Sequence, residues 1–337
     1  MTQLFIKKPN VTGSYGKHPT KRTIEEKLTY AVINIDKPKG PTSHQISDYI
    51  KKLLNLKKAG HSGTLDPQVT GVQPVCIGSA TRITQFLLTA PKEYICLMHI
   101  HKLIPEEEIR QSAKKFIGRI KQMPPLKSAI KRQMREREIY ELEILEIDNQ
   151  EVLFRCKCQA GTYMRKLCHD WGQELHTGAH MAELRRTQAG PFTEQDHLVT
   201  MNDLQEALYY YHQKGDATYL HHLLQPVENA LKYLKKCHVQ DSAILSLTNG
   251  RPLGIPGIVK LENFHKGEVI AIMSLQEELI AIGTAEISAV QINSQQKGLA
   301  INIEKVFMPS PDHSPEHPSE SAPSGAQTST STSKKDK

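Results

Sequence analysis

Ala59-Gly60-His61-Ser62-Gly63-Thr64-Leu65-Asp66-Pro67-Gln68-Val69-Thr70-Gly71 is the most unusual segment of this 337-residue chain. Its glycines, its proline and its small hydroxyl residues make it a loop, although apolar segments flank it closely. An aspartate ahead of a proline has an extended backbone and a side chain free to project. Taken alone, an Asp-Pro pair is more often an Asx-turn than a reactive group.

The segments on either side mix helical and strand periods. Thr42-Ser43 caps a helix whose inward face is Ile46, Ile50, Leu53 and Leu54. Pro105 followed by three glutamates starts a second helix, with Ile109, Ala113, Phe116 and Ile117 as its stripe and Gly118 as its stop. Ile139–Ile147 and Val152–Cys158 read as paired strands around Asp148-Asn149, and Met164, Leu167, Cys168, Trp171 and Leu175 recur at helical spacing. Beyond Gln225-Pro226-Val227 come short apolar alternations at Glu268–Ser274, Leu279–Ala285 and Leu299–Val306, with one helix ending at Asn249-Gly250. The expected fold class is α+β: a mixed, mainly antiparallel catalytic-sized domain followed by a small β-rich domain.

A chain of this length is more than one core usually serves, in keeping with two domains. Its apolar runs, such as Ile95-Cys96-Leu97-Met98, are too short to span a bilayer, and the basic N-terminus lacks the apolar stretch of a secretory signal. No membrane association is expected. Six cysteines fit a reducing compartment, and Cys156-x-Cys158 is too tight for the common zinc knuckle, so small core residues are expected there and no metal. After Met308 there is no aliphatic or aromatic residue except alanine, so 309–337 reads as a disordered tail.

Charge narrows the function. Lys+Arg 43 against Asp+Glu 36 gives a formal +7. From Arg119 to Arg137 lie seven basic residues, including Lys127, Arg132 and Arg135, against the single acid Glu136. A surface loop of that density favours contact with a phosphate backbone over simple solvation, which points to a nucleic acid partner. Arg165 opens a helix with His169 four residues on; it is either a solvated charge or the partner of a carboxylate that it keeps ionised. Glu183-Leu184-Arg185-Arg186-Thr187 places basic residues around one apolar residue.

Taken together, these motifs resemble a known family. Gly60–Gly71 is similar to the catalytic loop of the tRNA pseudouridine synthase B/dyskerin branch of RNA pseudouridine synthases. Ile35-Asp36-Lys37-Pro38-Lys39-Gly40-Pro41-Thr42-Ser43-His44, Lys92-Glu93-Tyr94, Pro124–Ala129, Gly161-Thr162-Tyr163-Met164-Arg165 and Gly178–Thr187 follow in that family's order. The wording is closest to the archaeal catalytic subunit of H/ACA guide-RNA particles, and the long lysine-rich extensions of eukaryotic dyskerin are lacking.

The resemblance implies an N-terminal extension at 1–30, a pseudouridine synthase catalytic domain at 31–225, a β-barrel-like PUA RNA-binding domain at 231–308, and the tail. It implies Asp66 as the catalytic aspartate, Tyr94 as the aromatic packing on the target base and Arg165 as the partner of Asp66. His61, Leu184 and Lys37 are expected around the substrate. Lys127, Arg132, Arg135, Arg185, Gly250 and Arg251 are expected on RNA. Uridine isomerisation leaves redox state and atom count unchanged, so no cofactor is expected. The implied substrates and partners are tRNA at its TΨC-loop uridine, ribosomal RNA selected by H/ACA guide RNA, and small accessory proteins, in the cytoplasm. The competing reading is a non-catalytic RNA-binding scaffold, against which the trio Asp66, Tyr94 and Arg165 weighs.

Overall fold

The computed structural model describes residues 3–123 and 133–309. In chain order its strands are β1 Leu4–Ile6, β2 Tyr30–Lys37, β3 Ala59–His61, β4 Thr70–Gly78, β5 Lys92–Ile100, β6 Gly118–Gln122, β7 Arg135–Asp148, β8 Glu151–Cys158, β9 Ala179–Ala189, β10 Phe192–Thr193, β11 Gln225–Pro226, β12 Lys235–Val239, β13 Leu253–Gly254, β14 Ile258–Glu262, β15 Val269–Met273, β16 Leu279–Ala285 and β17 Leu299–Val306. The helices that matter to the site are α1 Ile24–Thr29, α2 Ser43–Leu53, α3 Thr84–Thr89, α4 Glu106–Lys114 and α5 Met164–Glu174.

The first sheet runs β11-β2-β4-β9-β5-β8-β7-β6, with β3 beside β4 and β10 beside β9. Every pairing is antiparallel except β4 with β9, which meet in parallel at Thr70↔Arg185 and Gly71↔Arg186. Strand β5 shows why the sheet has one dry face: Lys92, Tyr94, Cys96, Met98 and Ile100 alternate inward. Tyr94, Cys96, Met98 and Ile100 pack with Phe154, Leu167 and Trp171 in a core closed by α4 and α5. Helix α2 covers β2 and β4 through Ile46 and Ile50, and its start is fixed by a capping box in which Thr42 and Gln45 bond each other's backbone N–H.

The second sheet runs β1-β14-β12-β15-β16-β17-β13 around a core that includes Leu247, Leu261, Ile272 and Ile301. Its pairings are antiparallel except β12 with β15. Residues 1–30 are set apart as an extension on sequence, and the described part, from residue 3, is tied into this fold. Leu4–Ile6 pairs with Lys260–Glu262 along β14. A three-residue edge strand carries too little periodicity to be read in advance. The helix expected to run to Ile117 ends at Lys114, and Ile117 is exposed.

The two sheets share apolar contacts. Val32, Ile83 and Phe86 lie in one cluster with Ala271, Met273, Ile282 and Phe307. A buried ion cluster reinforces the junction. Arg22, 4% exposed, donates to both oxygens of Glu228 at 2.8 and 2.7 Å and to Glu278 at 3.2 Å, and its guanidinium lies 5.2 Å from the centre of the Tyr30 ring. Removing the one cation leaves two carboxylates facing each other with little water. Arg22→Met is therefore expected to lower unfolding free energy in a urea titration by about 3–5 kcal/mol, with part regained in Arg22→Met/Glu228→Gln. A loss below about 1 kcal/mol contradicts the junction's dependence on this cluster.

Candidate active site

The loop Ser62–Val69 is held from below. Lys37 is fully buried at the end of β2, and its Nζ donates to the carbonyls of Pro38, Pro67 and Val69 at 2.9, 3.2 and 2.8 Å. The three N–H groups of an ammonium thus meet three acceptors, two of them in the loop. Ser43, at the first turn of α2, brackets Leu65 by accepting from its N–H at 2.7 Å and donating to its carbonyl at 3.3 Å. At the loop's exit Gly71 has φ +105°, and a Cβ there would lie 2.2 Å from the Arg186 carbonyl. Only glycine lets β4 close onto β9 at that point.

These restraints decide the question that the Asp-Pro pair left open. The turn is closed by the backbone, with Val69 N–H donating to the Asp66 carbonyl at 3.0 Å. The Asp66 carboxylate meets the Arg165 guanidinium at 3.0 Å. Arg165 reaches it because α5 buries Met164, Leu167, Cys168 and Trp171 and turns the intervening residues outward. The helix lies tightly on the sheet, since a Cβ on Gly172 would come within 2.1 Å of the Ala179 nitrogen. Both partners are about half exposed, 47% for Asp66 and 57% for Arg165. About half of the Asp66 side chain is therefore open to water in the free chain, and a nucleotide filling the cavity would cover it.

The pair stands at the mouth of a cavity of about 580 Å³ lined by Leu65, Val69, Tyr94, Met181, Leu184 and Arg186, among others. Tyr94 is 9% exposed, bonds the Arg186 guanidinium through its hydroxyl, and is pushed up to about 12 by burial although Arg186 opposes it. Leu184 pairs with Cys96 across β9 and β5 and offers an apolar wall. His61 ends β3 and is not among the lining residues. Its Nδ1 accepts from the Gly63 N–H at 3.4 Å, and burial, then Arg186, then His44 hold its pKa below the ordinary 6.5. Lys37 does not face the cavity either. The substrate contact expected of it is corrected to positioning, because all three of its donors are taken by carbonyls.

The expected RNA contacts divide. Lys127 and Arg132 lie outside the described residues. Arg135 begins β7, and the hairpin of β6 and β7 stands against the cavity wall. There Gln122, 1% exposed, accepts from Tyr163 N–H at 2.9 Å and donates to its carbonyl at 3.2 Å. Arg185 is already engaged: it donates to both oxygens of Asp36 at 3.1 Å and to Glu194 at 2.6 Å. One cation between two carboxylates brings no net positive charge of its own to a phosphate, although the side chain is still 37% exposed. Gly250, at φ +75°, ends the helix Asp241–Thr248, and the Arg251 N–H closes back on the Ser246 carbonyl at 3.0 Å, leaving its side chain exposed.

Arg186, Lys92, Ser43 and Gln122 escaped the reading of the sequence as site residues. Lys92 carried a usable signal, a cation at the inward position of an otherwise apolar period-two strand.

A cavity with an ion-paired carboxylate at its mouth and an aromatic ring within it suits the isomerisation of a flipped uridine, and comparison with known proteins places the chain in a family of pseudouridine synthases. Residues 51–106 and 100–164 match the model of the TruB family pseudouridylate synthase N-terminal domain, and 165–232 that of the tRNA pseudouridylate synthase B C-terminal domain. Residues 235–307 match the PUA domain and 1–47 the DKCLD (NUC011) domain. The chain is 49% identical over 303 residues to the probable tRNA pseudouridine synthase B of Pyrococcus abyssi, covering 90% of this chain and 91% of that one. It is 48% identical over 304 residues to that of Methanothermobacter thermautotrophicus, covering 90% and 94%. The chain belongs to the TruB family of pseudouridine synthases. Its fold matches a chain of a solved Cbf5-Nop10-Gar1 complex with TM-score 0.88 and 47% identity over 92% of this chain and 95% of that one. It matches an H/ACA ribonucleoprotein bound to a substrate RNA containing 2′-deoxyuridine with TM-score 0.87 and 44% identity, over 92% and 96%. No helix among the described residues is long and apolar enough to cross a membrane.

An exposed ion pair contributes little to folding, so Arg165→Met separates chemistry from stability. It is expected to change unfolding free energy by less than about 1 kcal/mol and RNA Kd only a few-fold, while single-turnover isomerisation slows by about 10²-fold. A parallel collapse of binding contradicts the pairing role. His61 supplies a pH test. A native state that keeps it neutral while the unfolded chain protonates binds fewer protons, so stability is lost as pH falls through 6.5. Thermal melts of His61→Gln between pH 7 and 5 are expected to show a shallower decline than wild type; equal slopes contradict this.

Proposed function

We infer that the chain isomerises uridine to pseudouridine in the TΨC loop of tRNA and, as catalytic subunit of an H/ACA guide-RNA particle with small accessory proteins, in ribosomal RNA. In this reading 31–225 is the catalytic domain and 231–308 the RNA-binding PUA domain. Asp66 acts on the ribose as nucleophile or base, Arg165 pairs with it, and Tyr94 packs on the base after it leaves its stack. Leu184 lines the base's pocket, and His61 supports the loop that holds the nucleotide out. Arg135 at the start of β7, together with Lys127 and Arg132, contacts the RNA backbone, and Gly250-Arg251 serves the PUA contact. The cytoplasm is the place where these RNAs meet the protein.

The observation that carries the reading is the 3.0 Å pair between Arg165 and a carboxylate whose loop is held by the side chains of Lys37 and Ser43. An RNA scaffold has no use for a preorganised carboxylate beside an aromatic-lined cavity. Support for tRNA as substrate comes from the relatives' names, and support for the particle from the solved complexes that this fold resembles.

Tritium release from C5-labelled uridine in a tRNA transcript, and in a guide-selected RNA with the assembled particle, tests it. Wild type is expected to release the label and Asp66→Ala to release none above background. Equal release by both, or none by wild type in either setting, contradicts the enzymatic reading.

A further inference from the structure

Two cations beside the cavity are buried without a carboxylate to neutralise them. Arg186 is 1% exposed and Lys92 5%. Arg186 donates from Nε to the Val72 carbonyl at 2.7 Å and from Nη2 to the Gly63 carbonyl at 3.4 Å, and it bonds the Tyr94 hydroxyl. Lys92 Nζ donates to the carbonyls of Leu87, Leu88 and Ala90 at 2.7, 3.3 and 2.7 Å. Among the described residues no ion pair joins either of them to an acid. Both line the cavity, and they are neighbours: a Cβ on Gly63 would lie 3.7 Å from Arg186 Nη1 and 3.8 Å from Lys92 Cε.

Carbonyl dipoles satisfy the donors but bring no opposite charge to either group. Burying two such charges side by side is costly, and apolar residues of similar size would fill these strand positions at lower cost. Burial lowers both groups, Lys92 to about 7 and Arg186 below its ordinary value. An anion entering the cavity relieves that strain and is itself stabilised in a medium of low dielectric.

The reaction proposed above supplies such an anion, and this inference rests on that reading. When the C1′–N1 bond breaks, its electron pair stays on the base, which becomes a uracil anion. The sugar is left either as an ester through C1′ to an Asp66 oxygen, or with a C1′=C2′ double bond after Asp66 takes the C2′ proton. In either route the base carries the same charge. It then gives an electron pair from C5 to C1′, as Asp66 departs as carboxylate or returns its proton to C2′. Finally C5 loses its proton and N1 gains one, which restores the uracil ring as an isomer.

We propose that Arg186 and Lys92 form an electrostatic platform that stabilises the detached uracil anion between bond cleavage and reattachment. The pair then does for the leaving base what Asp66 does for the sugar, and its charge is preorganised where charge develops.

The test uses the full chain and a tRNA transcript with uridine or 5-fluorouridine at the target position, following single-turnover consumption of the target nucleoside by chromatography. Fluorine stabilises the base anion intrinsically, so the fluorinated substrate depends less on the platform. Arg186→Met and Lys92→Met are each expected to slow the uridine reaction by about 10²-fold, to slow the fluorouridine reaction about tenfold less, and to regain rate in Arg186→Lys and Lys92→Arg. A partly unfolded variant slows both substrates equally, so the ratio of the two rates is immune to loss of folded protein. A ratio in both Met variants equal to that of wild type overturns the platform, as does full activity on uridine in both. Wild type inert on the uridine transcript removes the pseudouridine synthase reading and the platform with it, whereas active wild type with an unchanged ratio removes the platform alone.

Discussion

The site depends on one buried ammonium. Lys37 binds two carbonyls of the loop that carries Asp66, and Ser43, Gly40 and Arg186 add further hydrogen bonds to the same loop. Placing a lysine in a fully dry position is unfavourable unless every donor is met. Its three partners meet that condition and leave no freedom for alternatives. The cation therefore fixes the loop from a distance, while the carboxylate itself stays free of backbone bonds and open to the cavity.

The rest of the architecture brings a second element to that carboxylate. Helix α5 is pressed onto β9 at Gly172, so its first turn projects Arg165 over the cavity, and β9 returns Leu184 and Arg186 to the opposite wall. The parallel contact of β4 with β9 at Gly71 is the seam where the loop, the helix and the strand converge. The half-exposed Asp66–Arg165 pair contributes little to folding, whereas the buried cations nearby cost stability. That distribution of favourable and unfavourable terms is what a site built for a charged transition state requires.

Much of this was legible in residues 42–54, 139–158 and 164–175, where strong apolar periods and caps define α2, the pair β7 and β8, and α5. The chemistry was legible only through the combination of Asp66, Tyr94 and Arg165, since each alone has a commoner structural use. What stayed hidden is long-range. Lys37 and Arg185 look like available surface cations, yet one faces carbonyls some thirty residues away and the other faces Asp36 and Glu194. Local sequence cannot report whether a cation's partner is solvent, phosphate or a distant acceptor. The edge strand Leu4–Ile6 was missed for a related reason, because its pairing with β14 is its only definition.

The central claim is that the cavity receives a flipped nucleotide with its ribose at Asp66. A structure of the chain bound to RNA that already carries pseudouridine at the target position addresses it most directly. The account predicts the base out of its stack and against Tyr94, C1′ within about 3.5 Å of an Asp66 oxygen, and Arg165 still paired with that carboxylate. A base that remains stacked in the RNA, or a ribose bound away from Asp66 with the cavity empty, contradicts it.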